Sequence, residues 1–246
     1  MHILLTNDDG IRSDGIIALY KALIKLGRVT VVAPDGERSS ISQAITLDHP
    51  IYHKTVAFLP RVKGSAFSGT PADCVKFALG VLLREDRPDM IFSGINRGGN
   101  DGCSVFYSGT VGAAREGALN GIPSIAVSLN DWEDPKYAHS AVIGLKVARM
   151  VIEKGLPHGT FLNVNVPPGV SKGIRWARQC RIPIHGEFRR RKDPGGREYF
   201  WLTGRPPAPH KEKNSDSFIL ARGFATVTPV HCDSTDHAAL KAYDNV

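Results

Sequence analysis

The 246 residues carry 42% hydrophobic and 22% charged side chains, the balance of a soluble globular chain able to bury a large core. No segment approaches the roughly 20 apolar residues that span a bilayer. Residues 1–5 run straight into Asn7-Asp8-Asp9-Gly10, lacking the basic start and apolar length of a signal peptide, so a cytoplasmic protein without membrane association is expected. The formal charge of +7 is concentrated: residues 172–213 hold twelve Lys/Arg against four Asp/Glu. Four scattered cysteines (Cys74, Cys103, Cys180, Cys232) form no CxxC pair, which excludes a disulfide framework and a thiolate metal site.

Residues 1–5 form an apolar strand that ends in a turn. Ile16, Ile17, Leu19, Tyr20, Leu23, Ile24 and Leu26 follow at helical spacing, closed by Gly27. Residues 29–32 read as a second buried strand leading into the Ala33-Pro34-Asp35-Gly36 turn. Two parallel strands joined by a helix make a βαβ unit, whose ligands gather at the carboxyl ends of the strands. Thr70-Pro71-Ala72-Asp73 has the form of an N-cap, a proline at N1 and an acid in the first turn, predicting a helix to about residue 83. A strand at 90–92, a helix at 111–120 opened by Thr110 and ended by Gly121, a strand at 125–127, an amphipathic helix at 135–153 and a strand at 161–166 continue the alternation. This predicts an α/β fold over residues 1–170: a doubly wound, mainly parallel sheet with helices on both faces.

After Pro167-Pro168, short β-like runs at 174–177, 198–203 and 225–230 alternate with Arg- and Pro-rich stretches. Residues 171–246 are therefore expected to form β-hairpins and extended arms that complete the fold and reach a neighbouring subunit. Aromatics such as Tyr199-Phe200-Trp201 find no room on a sheet covered by helices on both faces, which predicts a homodimer or homotetramer.

Asp8 and Asp9 stand where the first strand ends. Two carboxylates there repel unless a cation sits between them, and a hard divalent metal is the simplest cation. Taken alone, the same four residues also read as a polar turn with an Asx cap. The loops expected at the same sheet edge decide between the readings. Arg38-Ser39-Ser40 follows the second strand, and Ser93 to Gly102 follows the 90–92 strand, both rich in glycine and small oxygen-bearing side chains. Hydroxyl and amide oxygens are neutral ligands for Mg²⁺ or Mn²⁺, and Ser39 and Asn96 are the candidates. Tyr107-Ser108-Gly109-Thr110-Val111-Gly112 reads as an anion cradle, because glycines and hydroxyls directly before a helix expose free N–H groups to a positive helix end. A plain N-cap at Thr110 accounts for part of that pattern but not for Ser108-Gly109.

Together, Asn7-Asp8-Asp9-Gly10, the Glu37-Arg38-Ser39-Ser40 turn, SGINRGGN at 93–100 and YSGTVGAAREG at 107–117 resemble the SurE family of stationary-phase survival proteins, which are 5′-nucleotidases. The resemblance continues through residues 223–230 to Asp233 and Thr235. It implies one divalent metal per subunit held by Asp8, Asp9, Ser39 and Asn96, with Asp8 and Asp9 as the catalytic pair. Asn7, Gly94, Asn96, Asn100, Ser108, Gly109 and Thr110 are the expected substrate contacts. Hydrolysis of nucleoside 5′-monophosphates follows, with 3′-nucleotides and short polyphosphate as further candidates. Attack by a water molecule beside the cation, oriented by Asp8 or Asp9, is preferred to a covalent aspartate.

Rival readings fail at their motifs. There is no GxxxxGK[ST] of a P-loop and no GxGxxG of a dinucleotide fold, and the residue two after Asp8 is Gly10 where haloacid-dehalogenase phosphatases need a second aspartate. The Arg189-Arg190-Arg191-Lys192 run beside Phe188, Tyr199, Phe200 and Trp201 could grip nucleic acid, but a solvated hairpin at a subunit contact is the preferred reading and no nucleic-acid partner is expected.

Overall fold

The computed structural model describes residues 1–183, 186–204 and 212–244. In chain order the main elements are β1 (His2–Thr6), α1 (Asp14–Leu23), β2 (Arg28–Pro34), β3 (His53–Leu59), β4 (Val62–Phe67), α2 (Pro71–Phe77), β5 (Met90–Arg97), α3 (Gly109–Leu119), β6 (Ser124–Leu129), α4 (Ala138–Lys154), β7 (Thr160–Val166), β8 (Ile174–Trp176), β9 (Gly186–Lys192), β10 (Glu198–Gly204), α5 (Asp216–Leu220), β11 (Ala225–His231) and α6 (His237–Tyr243). Nine strands form one sheet in the order β3-β4-β2-β1-β5-β6-β7-β11-β8, and β9 pairs with β10 apart from it. Pairing is parallel except at β3/β4 and β7/β11 within the main sheet, and in the β9/β10 hairpin. The expected α/β class, with helices on both faces, is the fold observed.

Strand alternation explains the two faces. Ile3 and Leu5 pack with Ile16, Leu19 and Leu23 of α1 and with Val147, Ala148 and Val151 of α4, while Leu4 points the other way, to Cys74 and Val75 of α2 and Ala113 of α3. Phe161 joins Val111, Ala114 and Ala118 of α3 in a third cluster. Phe92 and Phe161 are fully buried; truncating either to alanine should cost ~3–5 kcal/mol. From β1 the chain winds outward through β2 and β4, then returns to the other side of β1 as β5. The crevice of this reversal, outside the carboxyl ends of β1 and β5, is where an open α/β sheet receives its ligand.

Several boundaries differ from the sequence reading. The strand expected at 90–92 continues to Arg97, so Ser93, Gly94 and Asn96 lie in β5 and not in a loop. Partners on both sides hold it, Ser93 against Thr6 of β1 and residues 91–97 against β6, and pairing overrides the weak strand preference of Ser, Gly and Asn. The helix from Thr70 is α-helical only to Phe77 and continues as a π-helical turn, Ala78–Leu82. Helix α3 begins at Gly109, with Ser108 rather than Thr110 as its N-cap, and α4 begins at Ala138 rather than 135. Of the three C-terminal β-like runs, 174–177 and 225–230 contribute β8 and β11 to the main sheet, and only 198–203 is in a hairpin. Residues 205–210 of the arm expected between Gly186 and His210 lie outside the described residues. Strands β3 and β4 and helices α5 and α6 were not anticipated.

Candidate active site

The turn after β1 is built by Asn7. Its buried amide donates to the Gly10 carbonyl (2.9 Å) and to Ser13 Oγ (2.8 Å), folding the chain back towards α1. The next two side chains project from this turn. Asp8 reaches the first turn of α3: Oδ2 accepts from the Thr110 amide at 3.0 Å and Oδ1 accepts from the Thr110 hydroxyl. Asp9 Oδ2 accepts from the Arg97 amide at the end of β5 (3.2 Å). Burial raises the Asp8 carboxyl above its ordinary value against the pull of the Thr110 bonds. Burial, and then the Asp8 charge beside it, push Asp9 up to about 7. Such a pair gains most from a cation that neutralises both members.

Neutral oxygens surround the pair. The Arg38 amide donates to the Asp8 carbonyl (2.7 Å), which draws the second loop against the first and places Ser39 on the cavity wall. Ser39 donates its proton to Glu37 Oε1 (2.6 Å), so the lone pairs of its Oγ are available as a ligand. Asn96 has both amide protons committed, to the carbonyls of Gly98 (2.8 Å) and Arg97 (3.2 Å), which leaves Oδ1 as its only unspent group. Two carboxylates, one amide oxygen and one hydroxyl form an all-oxygen set that suits Mg²⁺ or Mn²⁺. Among the described residues no group of three or more His, Cys, Asp or Glu could hold a metal, so a site here must rely on neutral ligands for its remainder.

The anion cradle differs in detail from its sequence reading. Ser108 Oγ accepts from the Val111 amide (3.1 Å), and the Thr110 amide is taken by Asp8. The Gly109 N–H is the first-turn amide without a protein partner among the described residues. Gly109 is not in the left-handed region, so its conformation does not require glycine. Space is tight there instead: a Cβ would lie 3.0 Å from Asp8 Cβ and 3.1 Å from Asp8 Oδ2, so the Asp8 side chain would have to give by a few tenths of an ångström.

A cavity of about 1070 Å³ unites Asp8, Asp9, Ser39, Asn96, Asn100 and Ser108 on its walls. Four other candidates stand behind that surface. Asn7 holds the turn, Gly94 packs on Val127 of β6, and Gly109 and Thr110 back Asp8. The family model for survival protein SurE matches residues 3–185. The chain belongs to the SurE family.

Relatives named 5′-nucleotidase SurE are 44% identical over 242 residues in Moorella thermoacetica (97% of this chain, 93% of that one) and 43% identical over 244 residues in Geobacter sulfurreducens (98% and 91%). The crystal structure of the SurE protein from Aquifex aeolicus superposes with a TM-score of 0.87 at 36% identity, covering 100% of this chain and 99% of that one.

Beyond these SurE motifs, motif reading missed the residues that hold Asn100, itself an expected contact. Asn100 is fixed by three bonds: its amide N–H to Asn165 Oδ1 (2.7 Å), its Nδ2 to Ser128 Oγ (2.9 Å), and its carbonyl from Asn163 Nδ2 (2.8 Å). Asn163 and Asn165 are fully buried, and the signal for them was present in Phe-Leu-Asn-Val-Asn-Val, a core strand carrying asparagine at alternate positions. The aromatic walls, Tyr107, Trp132, Tyr137 and Phe188, come from three separate segments, Trp132 and Tyr137 sharing the β6–α4 connection, and have no common local signature.

Proposed function

We propose that the chain hydrolyses nucleoside 5′-monophosphates to nucleoside and inorganic phosphate, with one divalent cation, Mg²⁺ or Mn²⁺, bound by Asp8, Asp9, Ser39 and Asn96. The observation that carries this reading is the adjacent carboxylate pair, drawn together by the turn after β1 and set among neutral oxygens at the switch point of the sheet. The relatives named 5′-nucleotidase SurE support the substrate class. 3′-Nucleotides and short polyphosphate present the same phosphoryl group and are further candidates.

The cation would neutralise charge on the phosphoryl oxygens. The chain supplies the rest. Ser108 Oγ already accepts from Val111, so its own proton is free for a phosphoryl oxygen, and the Gly109 amide offers a second donor at the positive end of α3. Asp8, with both oxygens bonded to Thr110, acts as a fixed positioning group. Asp9 has one oxygen on Arg97 and Oδ1 without a protein bond among the described residues, which suits it to orient an attacking water, accept its proton as the P–O bond to the nucleoside breaks, and return that proton to the leaving 5′-oxygen.

The test is phosphate release from AMP, GMP, CMP, UMP, 3′-AMP and tripolyphosphate, with and without chelator. Chelation should abolish turnover and added Mn²⁺ or Mg²⁺ restore it. Asp9→Asn should abolish turnover without loss of fold, and Ser39→Ala and Asn96→Ala should show defects that shrink at high cation concentration, since water partly replaces a neutral ligand. Near-normal turnover by Asp9→Asn at limiting cation would sink the assignment.

The same reading includes assembly into a homodimer or homotetramer through the β9–β10 hairpin, whose Phe188, Phe200, Trp201 and Leu202 are 55–70% exposed in the single subunit. Four free cysteines support a cytoplasmic setting. No helix among the described residues is long and apolar enough to cross a membrane.

A further inference from the structure

Trp132 is on the wall of the catalytic cavity, 65% exposed. The manner in which it is held sets it apart from the other exposed aromatics. Its indole rests on Gly98: a Cβ added there would fall 2.0 Å from Cζ2 and 2.2 Å from Cε2, and φ of +99° makes glycine the natural occupant twice over. The Gly98 amide is pinned to the Leu129 carbonyl (2.8 Å), which extends the β5–β6 ladder beneath the ring. Asp131 Oδ1 closes the supporting turn by accepting from the amides of Glu133 (3.1 Å) and Asp134 (3.3 Å). The Trp132 carbonyl accepts from Arg97 Nε (2.9 Å) and from its Nη2. Arg97 also donates its backbone N–H to Asp9. A large aromatic surface, backed by main chain and fixed in position, thus stands one residue away from the carboxylate pair.

The other rings of the cavity are placed differently. Tyr107 adjoins the Ser108 end of α3, where the phosphate is expected, and Tyr137 is half-buried against Gly15 of α1. Phe188 stands on β9, which is exposed along its length. A nucleotide anchored by its phosphate extends its base several ångströms away, and an aromatic ring that receives it must have a defined plane before binding.

We propose that Trp132 is the platform on which the nucleobase stacks, and so the residue that favours nucleotides over phosphomonoesters without a base. This rests on the nucleotidase reading above. Every base has a π-face, so the platform accepts all four bases, with the larger purines gaining more contact.

The experiment compares kcat/KM for AMP with kcat/KM for ribose 5-phosphate in the wild type, Trp132→Ala and Trp132→Phe. Loss of the stack should lower the AMP to ribose 5-phosphate ratio about tenfold in Trp132→Ala, the loss falling on KM, and Trp132→Phe should recover most of it. AMP should quench the indole emission of the wild type, and most of that quenching should vanish in Trp132→Phe. A ratio within about twofold of wild type in Trp132→Ala, or an equal fall for both substrates, would overturn the platform while leaving the nucleotidase reading intact. Failure of the wild type to release phosphate from either compound would overturn both.

Discussion

At the scale of single residues, the link between Asp8 and Thr110 changes what the glycine before the helix does. From sequence, Gly109 belongs to the phosphate cradle alone, and its replacement should spare the cation. Its position against Asp8 Cβ and Oδ2 would couple the proposed phosphate and cation subsites. Gly109→Ala should therefore lower both Mn²⁺ affinity and kcat/KM by about tenfold, because a ligand displaced by a few tenths of an ångström loses geometry that the reaction needs. Titration calorimetry of the variant decides the matter: an unchanged Mn²⁺ affinity would show the subsites to be independent. Asp9 carries a second prediction. Its carboxyl is pushed from an ordinary 3.8 up to about 7, so the folded, metal-stripped chain holds that proton more tightly than the unfolded chain does. The stability so gained is complete below pH 3.8 and is lost as pH rises through about 7. Melting of the metal-stripped chain should fall between pH 5 and pH 8 more steeply in the wild type than in Asp9→Asn, and equal slopes would contradict the shift. That Asp8, Asp9, Ser39 and Asn96 meet on one cavity could be read from the sequence because they fall in short motifs at the same sheet edge. The roles of Thr110 and Asn165 could not, since each depends on a contact 102 or 65 residues away.

Among elements, α2 shows where local signals suffice. Thr70 accepts from the Asp73 amide (3.1 Å) while Asp73 accepts from the Thr70 amide (3.0 Å), the reciprocal cap that Thr-Pro-Ala-Asp announces. The same Asp73 also receives the Thr46 amide and hydroxyl, tying the preceding loop to the helix. Thr70→Ala should cost ~1 kcal/mol by urea unfolding with kcat unchanged. A loss below the error of the measurement would mean that Thr46 and the Thr70 amide fix Asp73 without the cap. β5 shows where local signals mislead. Ser-Gly-Ile-Asn-Arg has the composition of a loop, yet two neighbouring strands pair with it and carry Asn96 to the mouth of the crevice. β3 and β4 escaped notice for a related reason: only β4 joins a parallel neighbour, and β3 is an edge strand largely open to solvent, without the apolar density of the others.

For the whole molecule, alternation of strand and helix was enough to give the class and to point to the crevice where the candidate site lies, because right-handed crossovers leave few ways to wind such a chain. The hairpin asks for a partner. Light scattering at micromolar concentration should give a multiple of the 26.7 kDa subunit, and Trp201→Glu should shift the mass towards one subunit. A single-subunit mass for the wild type would refute assembly through β9–β10. The candidate site draws Asp8 and Asp9 from the turn after β1, Ser39 from the second loop, Asn96 from β5, Ser108 from the cap of α3 and Phe188 from the hairpin. None of these segments can form the cavity alone, and β1 reaches its partner β5 only after some ninety residues of chain have been gathered in. After dilution from denaturant, helices should return first by circular dichroism and turnover last, since parallel pairings of distant strands are slow to close. Regain of activity would then time the final closure of the central sheet, and simultaneous recovery of the two signals would show that β1 and β5 meet as early as the helices form.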